Sequence, residues 1–301
     1  MTCTESGVRR REFVGLVAAG FAPAWTPRPQ FVERWSWAMG QAVHLMVFAG
    51  SEQQGLDACA AALAELRRVE SRLSLFEDAS DLCELNRHAG RGPMHVDHDL
   101  RVILARSAAF RRLTAGAFDV AVEPLMHAWG FDTPRQGSPS AAELTEAREA
   151  VATAEVRLEG ATARLPNAHT QLDFGGIGVG YGIDRALAVL RARGITRAFI
   201  DVSGDCAAIG SPPGEPGWLV EVADPSREGG SIAATRLRDA ALATSGNTAR
   251  RHVLNPATGR PADALCQASV VTVDATTADA LSTAMLVSGR HPAAVLRAYA
   301  V

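Results

Sequence analysis

The stretch Asp173-Phe174-Gly175-Gly176-Ile177-Gly178-Val179-Gly180-Tyr181-Gly182 constrains this chain more than any other. Glycines this dense let a backbone turn tightly and approach a neighbour with no Cβ in the way. A helix-compatible run over residues 183–193 follows, so the stretch reads as a loop feeding a helix whose first amides favour an anion. The spacing excludes two nucleotide signatures. No start position gives G-x-G-x-x-G, and no Lys-Ser/Thr pair follows as a P-loop requires. Two readings stay open: a loop that cradles a phosphate, and a plain strand-to-helix turn.

The elements around it read as a mixed chain. Loose alternation predicts a strand over 41–48, and helical spacing of Leu63, Leu66, Val69 and Leu73 predicts a helix over 56–71. Ser80-Asp81 is placed to cap a short helix over 82–86. Further helices are expected over 100–114, ended by Gly116, and over 141–151, with a Pro/Gly/Ser-rich surface loop over 134–140 between them. Strands are expected over 154–158, 162–165, 171–174, 197–202, 219–222, 240–244 and 269–273, with a turn at Ser203-Gly204-Asp205. Helices close the chain over 278–288 and 293–300. Runs of strands set off by paired helices favour an α+β architecture over a doubly wound sheet.

Composition narrows the function classes. In 301 residues the net charge is −3, which argues against a nucleic-acid surface. No apolar run reaches the length of a bilayer span. At the N-terminus, Arg9-Arg10-Arg11 precedes an apolar stretch, Phe13 onward, and the small residues Ala22-Pro23-Ala24. This is the layout of a signal peptide over residues 1–24, with Arg10-Arg11-Glu12-Phe13-Val14 resembling a twin-arginine signal for export of a folded chain. Residues 25–301 form the mature domain, with the periplasm as the expected destination; a tail with a chance apolar patch is the other reading. Cys59, Cys83, Cys206 and Cys266 form no CxxC pair, which argues against zinc and favours free thiols in a domain this large.

Two more constellations carry chemistry. Asp279 and Thr283 stand four apart near a helix start, so both oxygens share one face. A carboxylate and a hydroxyl suit a hard cation such as magnesium, although an Asp at this place also serves as a cap or dipole partner. His252 opens the turn-rich stretch to Pro261, as a structural hydrogen bonder or as a proton carrier beside a reacting phosphate. Neither a G-x-S-x-G elbow nor HExxH occurs, so the hydrolase and metalloprotease readings lack their key residues.

Taken in order, these segments resemble the FAD:protein FMN transferases, the ApbE-like flavin transferases, from about Met39 to Gly289. The resemblance is carried by Met39-Gly40; by Ser71-Arg72-Leu73-Ser74-Leu75-Phe76 with Ser80-Asp81-Leu82 and Leu85-Asn86; and by Thr114-Ala115-Gly116-Ala117-Phe118-Asp119-Val120 with Pro124-Leu125 and Trp129-Gly130-Phe131. It continues through residues 173–184, Ser203-Gly204-Asp205, Ala243-Thr244-Ser245-Gly246, His252 to Pro261, and Ala278-Asp279-Ala280-Leu281-Ser282-Thr283-Ala284.

The resemblance implies a T-fold core, an α+β arrangement of antiparallel sheet and packed helices. It implies that FAD is the substrate, held by Met39, Phe76, Ala117, Phe118, Asp119, Asp173, the loop position Val179 and the turn at Leu254. It implies Mg²⁺ at the Gly176 carbonyl, Asp279, Ser282 and Thr283, with Asp279 a carboxylate of the cleft surface and His252 handling the proton. The implied reaction moves FMN from FAD onto a Ser or Thr hydroxyl of an acceptor protein and releases AMP. Two alternatives share the residues: a Mg²⁺-dependent FAD pyrophosphatase and a non-catalytic flavin-binding protein. The chain departs from the family's pattern at Val179, where a Lys is usual, at Ser203, at Gly178 for Ala, and at Phe76, which lacks a hydroxyl. Arg185, Arg250 and Arg251 are the candidates to replace the lost cation.

Overall fold

A nine-residue strand, β1 (Gln30–Ala38), begins the fold and folds straight back on β2 (Gln41–Ala49). Met39 (φ 56°) and Gly40 (φ 65°) form the two-residue turn, both in the left-handed region that a tight right-twisted hairpin demands. Glycine adopts it freely; Met39 does so at a cost of about 1 kcal/mol. In this computed structural model, residues 29–132, 135–247, 251–291 and 295–301 are described, and the expected signal over residues 1–24 lies outside them.

The remaining elements follow in order: α1 (Glu52–Leu73), α2 (Asp81–Arg87), β3 (Met94–His95), α3 (His98–Leu113), a 3₁₀ turn (Val120–Val122), α4 (Glu123–Trp129), α5 (Ala141–Ala152), β4 (Arg157–Glu159), β5 (Thr162–Arg164), α6 (Gly178–Ala192), β6 (Ala198–Val202), β7 (Asp205–Ile209), β8 (Trp218–Ala223), β9 (Ser231–Leu237), β10 (Ala241–Gly246), β11 (Leu254–Asn255), β12 (Arg260–Pro261), β13 (Gln267–Thr272), α7 (Ala275–Ser288) and β14 (Arg297–Ala300). Seven strands make the main sheet in the order β1-β2-β6-β7-β10-β13-β14, every neighbouring pair antiparallel. The expected α+β class is therefore the architecture found.

Alternation along β2 shows how the layers form. Val43, Leu45, Val47 and Ala49 are buried beneath α1 and α6, together with Leu66, Ile183 and Leu187. Met46 and Phe48 face the other side, where Phe199, Cys206, Leu242 and Val271 meet Trp218, Val222 and Leu237 of the β8–β9 hairpin. The sheet is thus a middle layer, helices on one face and a small hairpin on the other. Among the described residues Cys59, Cys83, Cys206 and Cys266 are free thiols, and burial pushes the Cys59 thiol up to about 11.

Three expected elements differ. Residues 171–174 form no strand. Instead the Asn86 side chain stands in for a neighbouring strand, its Nδ2 donating to Leu172 O and its Oδ1 accepting from Leu172 N, both at 2.9 Å. The glycine stretch is a loop only as far as Ile177; Gly178 to Gly182 are the opening turns of α6. Residues 293–300 end in β14, which pairs with β13 and supplies the sheet's last edge, while 292–294 lie outside the described residues. Alanine-rich sequence favours a helix there, and edge pairing overrides it.

Candidate functional site

α7 carries the densest set of oxygens. Asp274 caps its start, accepting from Thr277 N at 2.9 Å, and Asp279 and Thr283 follow one turn apart. Asp279 is 4% exposed and Ser282 1% exposed. Asp279 is therefore buried rather than a carboxylate of the cleft surface, because α6 crosses directly over it. Its Oδ2 accepts from Gly180 N at 2.9 Å. A Cβ on Gly180 would lie 2.3 Å from the Ala275 carbonyl oxygen, so glycine alone permits the crossing.

The other oxygens converge from β10 and from the loop before α6. Ser245 Oγ lies 2.8 Å from Ser282 Oγ and 3.2 Å from Thr283 Oγ1. Gly176 backs onto Thr283: a Cβ built there would stand 3.1 Å from Thr283 Oγ1 and 3.5 Å from the Phe118 ring. Gly176, Phe118, Asp279, Ser282 and Thr283 are thus brought together as one group. Burial, with the Asp205 charge second, pushes the Asp279 carboxyl well above the usual range. Burial pushes Asp205 up to about 7, and its Oδ1 accepts from Thr244 N at 2.9 Å. Among the described residues neither carboxylate has an ion pair. Buried carboxylates of this kind stay protonated or take a cation.

The positions expected to hold FAD are spread around this group. The Met39 side chain reaches α6: its methyl lies 3.4 Å from a Cβ built on Gly182. Val179 sits in the first turn of α6, half-buried against the same apolar cluster as Met39. Asp119 caps the 3₁₀ turn through Ala121 N at 3.0 Å and pairs with Arg111 at 2.7 Å. Asp173 turns the loop by accepting from Gly175 N at 2.7 Å. Ala117 lines a cavity of about 500 Å³ with Asn255, Ala284, Met285, Arg290 and His291. Phe76 is 86% exposed on the loop after α1, away from this packing. The Leu254 side chain is buried with Leu125 and Val151, which leaves its backbone as the part available to a ligand. His252 lies edge-on to Phe131 with ring centres 6.5 Å apart.

The chain contains no lysine, so its side-chain cations are arginines and any protonated histidines. Arg185 cannot replace the lost loop cation as expected, because it is held by Glu65 at 3.1 Å and Asp99 at 3.7 Å. Arg250 lies outside the described residues; Arg251 is exposed. Arg290 and His291 are cation candidates missed by the sequence reading, lying beyond its matched motifs. Ser245 and Asp205 also stand at the site, within the Ala243–Gly246 and Ser203–Asp205 segments, without being expected there. Their signal was the motif alone; spacing says nothing of which way a strand faces. A separate group, Glu123, His127 and Asp132, brings one donor atom each to within 4.8 Å of the others.

Comparison with known proteins follows the same lines. The ApbE family matches residues 39–299. The chain is 30% identical over 257 residues to the FAD:protein FMN transferase of Treponema pallidum, covering 77% of this chain and 71% of that protein. It is 30% identical over 291 residues to the FAD:protein FMN transferase of Rhodobacter capsulatus, covering 92% of this chain and spanning 55% of that longer protein. The crystal structure of the ApbE protein of Thermotoga maritima superposes with a TM-score of 0.77 at 29% identity, over 86% of this chain and 87% of that one. With β2, β6, β7, β10 and β13 of the main sheet and every oxygen of the α7 group inside the matched span, this chain belongs to the ApbE family.

Proposed function

We propose that this chain is an FAD:protein FMN transferase, using Mg²⁺ to move FMN from FAD onto a Ser or Thr hydroxyl of an acceptor protein. The observation that carries the reading is the Thr283 hydroxyl, 3.2 Å from Ser245 Oγ and against the Gly176 backbone, one helical turn from the buried Asp279 carboxylate on α7. This all-oxygen set, with a buried carboxylate that has no guanidinium partner among the described residues, fits a hard divalent cation. Asp279, Thr283 and the Gly176 carbonyl would hold the ion. When bound, it neutralises charge on the pyrophosphate.

The protein's own part is positioning. Met39, Ala117 and Phe118 shape the walls against which FAD lies; the first amides of α6 do not serve the phosphates as the sequence suggested, because Gly178 N donates to Phe174 O at 2.7 Å and Gly180 N to Asp279 Oδ2 at 2.9 Å. The acceptor hydroxyl attacks the FMN phosphorus, the bond to the bridging oxygen breaks, and AMP leaves carrying that oxygen. The hydroxyl proton passes to His252. Such chemistry depends on orientation and charge neutralisation more than on a covalent nucleophile.

Incubation with FAD, Mg²⁺ and an acceptor bearing a candidate Ser or Thr tests the reading by mass. An acceptor heavier by FMN supports it. Free FMN with unmodified acceptor marks a pyrophosphatase, and unchanged FAD marks a binding protein. We also infer export to the periplasm through the twin-arginine layout of residues 1–24; no helix of the described residues is long and apolar enough to cross a membrane. Replacing Arg10 and Arg11 by Lys strands the protein in the cytoplasm on this reading.

A further inference from the structure

The hydroxyls around α7 form a chain in which each proton can be assigned one acceptor. Ser282 Oγ donates to the Asp279 carbonyl oxygen at 2.9 Å. A hydroxyl has one proton to give. At its 2.8 Å contact with Ser245 Oγ, where geometry permits either direction, the order that keeps this bond has Ser282 accepting and Ser245 donating. The Ser245 proton is then committed, so at the 3.2 Å contact with Thr283 Oγ1 it is Thr283 that donates and Ser245 that accepts. The order runs Thr283 to Ser245 to Ser282 to the Asp279 carbonyl. It leaves the Thr283 proton turned toward β10 and its lone pairs free on the side where Gly176 approaches.

A neutral hydroxyl binds a cation only through a lone pair, with its proton turned away. We propose that Ser245 is a positioning residue that sets this polarity, so that Thr283 presents oxygen and not hydrogen to the metal. Ser282, 1% exposed and engaged as donor and acceptor, anchors the chain. The proposal rests on the metal-site reading above and adds to it a residue acting through Thr283.

The test is Mn²⁺ affinity, read by electron paramagnetic resonance on the full chain without FAD. Ser245→Ala weakens binding about five- to tenfold, the worth of one hydrogen bond. Ser245→Thr, which keeps the hydroxyl, stays within about twofold. In a Thr283→Val background Ser245→Ala causes no further loss, because the residue it orients is gone. Parent-like affinity in Ser245→Ala, or a loss that adds to that of Thr283→Val, overturns the proposal. If the alanine variant does not fold, Ser245→Cys keeps the shape with a weaker donor and must show the same weakening and the same non-additivity. Asp279→Asn separates the two levels: if it binds Mn²⁺ as the parent does, the metal-site reading itself fails. If it loses the ion while Ser245→Ala does not, only the relay fails.

Discussion

The amide of Gly180 donates to Asp279 Oδ2 at 2.9 Å, which ties the opening turn of α6 to the buried face of α7. A Cβ at position 180 would stand 2.8 Å from the Asp279 Cβ and closer still to the Ala275 carbonyl. Gly180→Ala should therefore cost about 1–3 kcal/mol or more through overpacking. At Gly178 the nearest atom to an added Cβ is 3.7 Å away, an ordinary contact. Gly178→Ala should be neutral, or stabilising by up to about 0.5–1 kcal/mol. Thermal or urea unfolding of the two variants checks the contrast; equal effects would mean that the helices do not cross at Gly180.

Asp279 is both a metal-ligand candidate and a structural acceptor, so the informative substitution is Asp279→Asn. It keeps an oxygen for the Gly180 amide and removes the charge. Mg²⁺ affinity should fall roughly a hundredfold, with the metal-free fold largely kept. Asp279→Ala also strands the Gly180 amide, adding about 1–3 kcal/mol of instability. The check is the Mg²⁺-induced rise in melting temperature, present in the parent and absent in Asp279→Asn.

Val179 lies one helical turn from Gly182 and shares an apolar cluster with Met39. In Val179→Lys the stem keeps apolar contact while the ammonium extends beyond it. FAD binding at fixed Mg²⁺ should tighten by roughly tenfold, as a charge-assisted hydrogen bond to phosphate allows. Fluorescence quenching measures it. Weaker binding than in the parent would place this side of α6 away from the pyrophosphate.

His127 Nδ1 meets Asp132 Oδ2 at 2.8 Å, and this contact holds the imidazole pKa above its ordinary value; Glu123 reinforces it, while desolvation and Arg135 oppose it. A raised histidine pKa contributes stability that is complete below the unfolded value near 6.5 and fades as pH rises through the folded value. The His127 proton resonances should titrate above about 6.5 and return toward that value in Asp132→Asn. An unchanged midpoint in the variant would show that the pair does not hold the proton.

What the sequence made legible was set by local chemistry. Ser80 announces its helix because its hydroxyl caps Cys83 N within three residues. Asp279 and Thr283 share a face because helical spacing requires it. The misread stretches are those decided by distant partners. Residues 178–182 read as loop because glycine disfavours helix, yet the close approach of α7 demands glycine there. Residues 171–174 are extended but find Asn86 in place of a strand, 86 residues earlier in the chain. Ser245 joins the site only through the register of β10 on β13, where Ser245 faces Ala268.

The sheet order also sets a timetable for folding. β1 and β2 pair across two residues, but the next neighbour of β2 is β6, with Val43 against Val202. Leu45 and Val47 have no partner strand on that side until β6 has been synthesised, and β14, at the far edge, pairs with β13 only after that. Contacts so far apart in sequence make collapse slow and leave apolar strand surface open to other chains meanwhile. Such a molecule gains from completing its fold beside the chaperones of the compartment where it is made.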